Sequence, residues 1–329
     1  MTKVYVMVGV PGVRKSTYVK KQLEKNDKAI ILSSDSIRES NPEIRDNNAD
    51  VFAIMNNYLK EHLKEGYFDN IYYDATNVSR KRRRALYNNI KSWDKNAEVI
   101  IVFFSSPYME AVKRNSKRSG LEKVPEHVIL RMYRQLQVPR IDVDCDDFTV
   151  MGNPIFKEMN DRMESPKVVE DIFDNIDNCS HWYSEIELSD ASHNSKWHVE
   201  DIFTHINMTI ENSHSKELKQ IALFHDLGKG ICKEKKEDGY CSYINHAEVG
   251  ACYYLNYLSL TKYHGKDIPS YELDKLEVIR QHMLFHNGIG EKNRKNNKLN
   301  ERIMKLGEEF SQIDEMSKIS EDDMMDMFR

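Results

Sequence analysis

Two sets of side chains in this sequence have types and spacing suited to phosphate chemistry. The first is Gly9-Val10-Pro11-Gly12-Val13-Arg14-Lys15-Ser16-Thr17, which follows a β-rich run and opens a helical one. In that setting a glycine-bearing loop aims backbone amides and a helix N-terminus at anions. Lys15 would reach the β- and γ-phosphates of ATP or another nucleoside triphosphate, and the Ser16 hydroxyl would hold Mg²⁺. One position departs from the pattern: Arg14 stands where glycine is usual. The second set is His205 with the string His225-Asp226-Leu227-Gly228-Lys229. Neutral imidazoles and a carboxylate together bind a divalent cation, with first-row transition-metal preference. Such a cation polarises phosphoryl oxygens and acidifies a bound water. Lys229 suits a contact to substrate phosphate, or is a charged residue following a helix-ending glycine.

The elements that must position these groups change character along the chain. Val4–Val8, Ala29–Leu32, Ile71–Tyr73 and Val99–Phe104 read as strands. Between them, Ser16–Lys25, the spaced apolar set Val51, Ile54, Met55, Tyr58, Leu59 and Leu63, and Ser79–Ser92 read as helices. This alternation predicts a parallel sheet covered by helices over residues 1–152. Met151-Gly-Asn-Pro and Glu164-Ser-Pro166 punctuate a polar junction, assigned as a linker over 153–166. Beyond it, His198–Glu211, Glu217–His225, Ala247–Tyr257 and Asp274–His286 carry helical periodicity, which predicts an all-α domain over 167–329. Lys292–Lys298 reads as a basic, Asn-rich loop, and Ser320–Arg329 as a polar tail.

Composition narrows the setting. The chain has 329 residues, 40% of them hydrophobic, enough for two domains with their own cores. No stretch approaches the ~18–20 apolar residues of a membrane span. Met1–Val10 reads as a first strand, not a signal peptide, so the expected location is the cytoplasm. Five cysteines with no Cys-x-x-Cys pair argue against a disulfide framework. The net charge of −5 excludes indiscriminate coating of nucleic acid but leaves room for a local basic surface. Nothing here sets an oligomeric state.

The first half resembles the polynucleotide 5′-kinases of phage and bacterial RNA repair. Their loop reads GxPGxGKST, and this chain keeps Gly9, Pro11, Gly12, Lys15, Ser16 and Thr17. Their D-x-x-R element is matched by Asp35-Ser-Ile-Arg38. The resemblance makes Asp35 the base that takes the proton of a 5′-hydroxyl, and Arg38 the grip on the acceptor's phosphate. Asp35 could equally be a helix N-cap. Asp74-Ala-Thr76-Asn77 looks like the D-x-T-N element beside the metal and acceptor, although such a cluster also forms turns. Arg80–Arg84 is either a solvated helix face or phosphate-binding charge. Arg114 and Arg118, four apart, resemble the arginines of the family's lid.

The second half resembles the HD phosphohydrolases, whose signature is a His, a His-Asp pair and a distant Asp. The match falls on His205, His225, Asp226 and Asp314, with Asp322 or Asp323 as alternatives for the last. By the same resemblance His246 and His282 would recruit a second metal ion. His286, four residues after His282, is either a further ligand to that ion or a core or surface histidine, and His198 is an acceptor-pocket or structural residue.

Together the resemblances imply a bifunctional enzyme that heals RNA or DNA ends. It would use ATP and Mg²⁺ in one domain, one or two transition-metal ions in the other, and work with a nucleic-acid ligase. An HD hydrolase with a kinase domain impaired by Arg14, and a non-catalytic nucleic-acid-binding adaptor, remain the alternatives.

Overall fold

A computed structural model describes residues 1–152, 192–195, 198, 200–260, 265–286 and 288–319. The expected linker at 153–166, the start of the second domain at 167, and Asp322, Asp323 and the tail from Ser320 fall outside them. The chain divides into two compact units, Met1–Asn153 with His264–Asp267, and Pro154–Tyr263 with Ile268–Arg329.

The first unit is an α/β layer structure. Strands β1 (Lys3–Val8), β2 (Ala29–Ser33), β3 (Asn70–Asp74), β4 (Glu98–Ser105) and β5 (Asp147–Gly152) form one sheet in the order β2-β3-β1-β4-β5. Every pairing is parallel, with Tyr5 opposite Tyr72 on one side and Ile100 on the other. The central strands are buried on both faces, which explains the unbroken apolar runs of β1 and β4. Helices α1 (Lys15–Leu23), α2 (Ser34–Ser40), α3 (Asn48–Glu65), α4 (Arg80–Trp93), α5 (Tyr108–Ser116) and α6 (Glu126–Arg134) make the connections. In α3, Val51, Met55, Leu59 and Leu63 form the buried stripe, Asn47 caps the start, and Gly66 at φ +63° ends it. Because the strands run parallel, the loops after β1, β2 and β3 all open at one sheet edge, where ligands of such sheets bind.

In the second unit the described elements are helical apart from one hairpin. They are α7 (Ile202–Glu211), α8 (Lys216–His225), α9 (Lys229–Cys232), α10 (His246–Leu260), α11 (Ser270–Phe285), α12 (Glu291–Asn296) and α13 (Glu301–Met316). Side chains of Asp201, Ser215 and Asn300 cap α7, α8 and α13. Hence α7 starts at Ile202, four residues later than periodicity suggested. An antiparallel pair, β6 (Glu234–Lys235) and β7 (Cys241–Ser242), corrects the expectation of helices alone. Its tight Asp238-Gly239 turn, with Gly239 at φ +87°, is a hairpin signal the periodicity reading passed over. Lys292–Lys298 is likewise mostly helix, within α12, and Glu291 pairs with Lys295 across one turn. A side chain on Gly228 would overlap the His246 carbonyl, and one on Gly250 the Phe224 carbonyl. Those glycines let α10 lie against the His225-Asp226 turn. No helix among the described residues is long and apolar enough to cross a membrane. Among the described residues, Cys145, Cys232, Cys241 and Cys252 form no disulfide.

Candidate functional site

In the first unit the loop after β1 turns tightly around its own lysine. Gly9 and Gly12 sit at φ +152° and +88°, and a side chain on Gly12 would overlap the Ala111 carbonyl of α5. Lys15 Nζ donates to the carbonyls of Gly9 and Val10, each at 2.9 Å. Ser16 donates its hydroxyl to Asp74 Oδ2 at 2.9 Å, bringing together the two groups suited to hold a nucleotide's Mg²⁺. Burial of the Lys15 ammonium pushes its pKa down to about 8, with Asp74 and Asp35 opposing and Arg118 assisting. Burial also raises the Asp74 pKa, against the pull of Lys15 and Ser16. Lys15, Ser16, Asp74, Asp35 and Arg118 therefore share one electrostatic neighbourhood. Arg14 lies at φ +71°, ψ +24°, the left-handed region, with its side chain exposed. For a non-glycine residue that conformation costs ~1–3 kcal/mol.

The other basic groups are tied to protein atoms. Ser33, not Asp35, caps α2, which leaves the Asp35 carboxylate 78% exposed. Arg38 donates to the carbonyls of Ser34 and Arg45 and to Asn48 Oδ1. Arg114 pairs with Glu110 at 2.5 Å, and Arg118 donates to the Glu122 carbonyl at 3.4 Å. Thr76 accepts from the Gly9 amide through its carbonyl, while Asn77, at φ +45°, donates to the Met7 carbonyl. Those two brace the loop through backbone contacts. Thr17 is exposed in the first turn of α1. The basic run on α4 divides: Lys81, Arg82 and Arg84 are exposed, but Arg83 is fully buried. Arg83 pairs with Asp144 at 2.8 Å and donates to the carbonyls of Asn77, Val78, Gln137 and Val138.

In the second unit four histidines converge with two aspartates in the core. Nδ1 of His225, His246 and His282 lies 2.7, 2.7 and 2.9 Å from the carbonyls of Ala222, Tyr243 and Ile279. His205 Nδ1 lies 3.2 Å from the Ser317 carbonyl. A carbonyl can only accept, so each Nδ1 carries the hydrogen and a neutral ring turns its Nε2 lone pair inward. Those inward nitrogens crowd: His205 and His225 stand 3.4 Å apart, His246 and His282 3.2 Å. Asp314 Oδ1 is 2.8 Å from His205 Nε2, and Asp226 Oδ1 is 3.3 Å from His246 Nε2. Neither oxygen has an aligned hydrogen-bond partner despite full burial. Inward nitrogens around orphaned carboxylate oxygens form a donor set able to hold a metal ion.

The donors fall into two groups, His205–His225–Asp314 and Asp226–His246–His282. The Asp226 carboxylate joins them, since its Oδ2 lies 3.3 Å from His225 Nε2 and its Oδ1 faces His246 and His282. Burial opposes ionisation of both aspartates, yet Lys229, His225 and His246 hold Asp226, and His205, His225 and His286 hold Asp314, well below the usual carboxylate range. Burial disfavours charge on His205 too, but Asp314 and Glu200 outweigh it and raise its pKa to about 9, so a metal ion bound there would displace a proton from Nε2. Burial among other imidazoles pushes His282 down to about 3. Lys229 Nζ lies 2.5 Å from Asp226 Oδ2 and 3.0 Å from His193 Nε2.

Known proteins resemble the first of these regions, and one similarity extends beyond it. The family model described as an AAA domain matches residues 4–139. L-seryl-tRNA(Sec) kinase of Methanococcus maripaludis is 27% identical over 240 residues, covering 70% of this chain and 89% of that protein. Residues 4–139 are a P-loop kinase-like domain.

In the kinase-like domain, Lys15, Ser16, Asp74, Asp35 and Arg118 are gathered, whereas Arg38 and Arg114 are turned onto protein partners. In the second unit, His205, His225, Asp226, His246, His282 and Asp314 are gathered with Lys229 at their edge. His286 stands outside the groups and braces Asp314 Oδ2 at 2.7 Å. His198 stacks on His193 at 4.1 Å and lies 2.7 Å from Glu200 Oε1 through Nδ1. His193 and Glu200 went unremarked in the sequence. In the sequence His193 lies ahead of the helical run read from His198, and Glu200 sits inside that run with no motif around it.

Proposed function

We propose that the chain is a bifunctional nucleic-acid end-healing enzyme, an ATP-dependent 5′-hydroxyl kinase joined to an HD-type phosphohydrolase. The observation that carries the hydrolase half is the convergence of four lone-pair Nε2 atoms on two buried, unpartnered carboxylate oxygens. His205, His225 and Asp314 would hold one divalent ion and His246 and His282 another, with Asp226 shared. Such ions would polarise a phosphoryl oxygen and acidify a water, supplying a nucleophile near neutrality. Lys229, at the rim of the set, brings positive charge to a phosphate oxygen. Water would then attack phosphorus and one bond, to O2′ or O3′, would break, opening a 2′,3′-cyclic phosphate to a monoester; a second water would break the remaining ester bond, releasing inorganic phosphate while the freed ribose oxygen takes a proton.

In the kinase half, Lys15 faces the β- and γ-phosphates and Ser16 with Asp74 suits their Mg²⁺. Exposed Asp35 would take the proton as a 5′-oxygen attacks the γ-phosphorus and the bond to ADP breaks, worth ~10²–10⁴ in rate. An RNA acceptor agrees with a relative named for a tRNA substrate. A second reading has one specific observation behind it: Arg14 in the left-handed region favours a kinase half that is weak or only binds nucleotide.

The test is incubation of the full chain with a 5′-hydroxyl, 2′,3′-cyclic-phosphate oligoribonucleotide, ATP, Mg²⁺ and Mn²⁺, followed by mapping of both ends. Healing of both ends is expected. Healing of the 3′ end alone would support the second reading. RNA bound with both ends unchanged would leave a binding adaptor.

A further inference from the structure

Glu200 lies outside the histidine signature, yet its contacts link four parts of the second unit. Its side chain is 1% exposed. Oε1 accepts from His198 Nδ1 at 2.7 Å and stands 3.3 Å from His205 Nδ1. Oε2 accepts from the Ile319 amide at 3.3 Å, and the Glu200 carbonyl accepts from His193 Nδ1 at 2.8 Å. Ile319 follows α13, the helix that carries Asp314, so one side chain braces both His205 and the segment after its acidic neighbour.

The four central histidines are not alike in this respect. Behind His225, His246 and His282 the structure places backbone carbonyls at Nδ1. Among the four, His205 is the one that meets a carboxylate there, beside the Ser317 carbonyl. A negative charge on the Nδ1 side orients an imidazole and strengthens the donor power of Nε2, more than a neutral carbonyl does. Burying a carboxylate is costly unless something nearby uses its charge.

We infer that Glu200 is a positioning residue for His205, setting the metal affinity of the His205–His225–Asp314 half of the centre and not of the Asp226–His246–His282 half. The inference rests on the metal-centre reading proposed above. Glu200→Gln keeps size and shape and removes the charge. In a calorimetric titration of the nucleotide-free full chain with Mn²⁺, the wild type should bind two ions. In Glu200→Gln one of the two should weaken about 10–100-fold and the other stay within error.

Equal affinities in wild type and variant would show that the Ser317 carbonyl suffices and overturn the inference. Equal weakening of both ions would do the same, by making Glu200 a general structural support. A wild type that binds no Mn²⁺ would instead overturn the metal-centre reading itself. Should Glu200→Gln fail to fold, Glu200→Asp decides. It keeps the charge but draws it back from His205, so one-sided weakening is again expected and unchanged binding contradicts.

Discussion

In the second unit the chemistry-bearing groups are buried side chains on packed helices, with His205 and His225 at 0% exposure and Asp226 at 2%. In the first unit they are backbone amides of one loop and side chains at the ends of neighbouring elements, with Asp74 buried, Asp35 open to solvent and Arg38 and Arg114 held by protein atoms. A buried donor set is fixed by the same packing that makes the core, so its geometry is complete before any ligand arrives. A loop that receives a polyanion leaves part of its geometry to the ligand, and its arginines meanwhile settle on protein acceptors. The buried site concentrates charge that must be compensated; the loop site holds Arg14 in the left-handed region.

The largest expected effect separates the two regions outright. Asp226→Ala removes the carboxylate shared by both donor groups, so phosphate release from 2′,3′-ended RNA should fall to background. Labelling of 5′ ends by the same folded variant should be nearly unchanged. Equal loss of both activities would erase the distinction between the regions.

Next in size, Asp35→Ala should lower 5′-phosphorylation by ~10²–10⁴ while ATP affinity stays nearly constant, since the proposed roles put Asp35 on the acceptor and Lys15 on the donor. Nucleotide binding and transfer of labelled γ-phosphate check this. A collapse in ATP binding would instead assign Asp35 to the loop's structure or its Mg²⁺.

Arg14→Gly probes the strain in the loop. Relief of ~1–3 kcal/mol corresponds to about one to two decades in an equilibrium. Transfer to a 5′-hydroxyl oligonucleotide at limiting ATP should rise at least tenfold. Strong wild-type transfer with no gain in the variant would mean that the loop carries arginine without penalty.

The smallest effect is a pH dependence. With the Lys15 pKa pushed down to about 8 in the free protein, a bound triphosphate would stabilise its ammonium and raise that value. ATP affinity should be flat below about pH 8 and decline above it, with proton uptake on binding. Calorimetry in buffers of different ionisation enthalpy measures both, and a level affinity through pH 9 contradicts the assignment.

These differences track what the sequence could convey. The loop from Gly9 to Thr17 was legible because backbone demands leave local marks, glycines at positive φ and a lysine-serine pair at a helix start. Strands β1 and β4 were legible as continuous apolar runs. Arg83 was not: in sequence it is one of four arginines in a basic run, and only the fold places Asp144 and four carbonyls around it. Glu200 was hidden for the same reason, as its partners come from His198, His205 and Ile319. The hairpin at Glu234–Ser242 was missed because two-residue strands are too short for periodicity, although its Asp-Gly turn was in plain view.

The central claim, a two-ion centre built on Asp226, is tested most directly by anomalous diffraction from crystals of the full chain grown with Mn²⁺. Two peaks are expected, one among His205, His225 and Asp314 and one beside His246 and His282, with the Asp226 carboxylate between them. Anomalous density confined to surface carboxylates, with none among these six residues, would contradict the account.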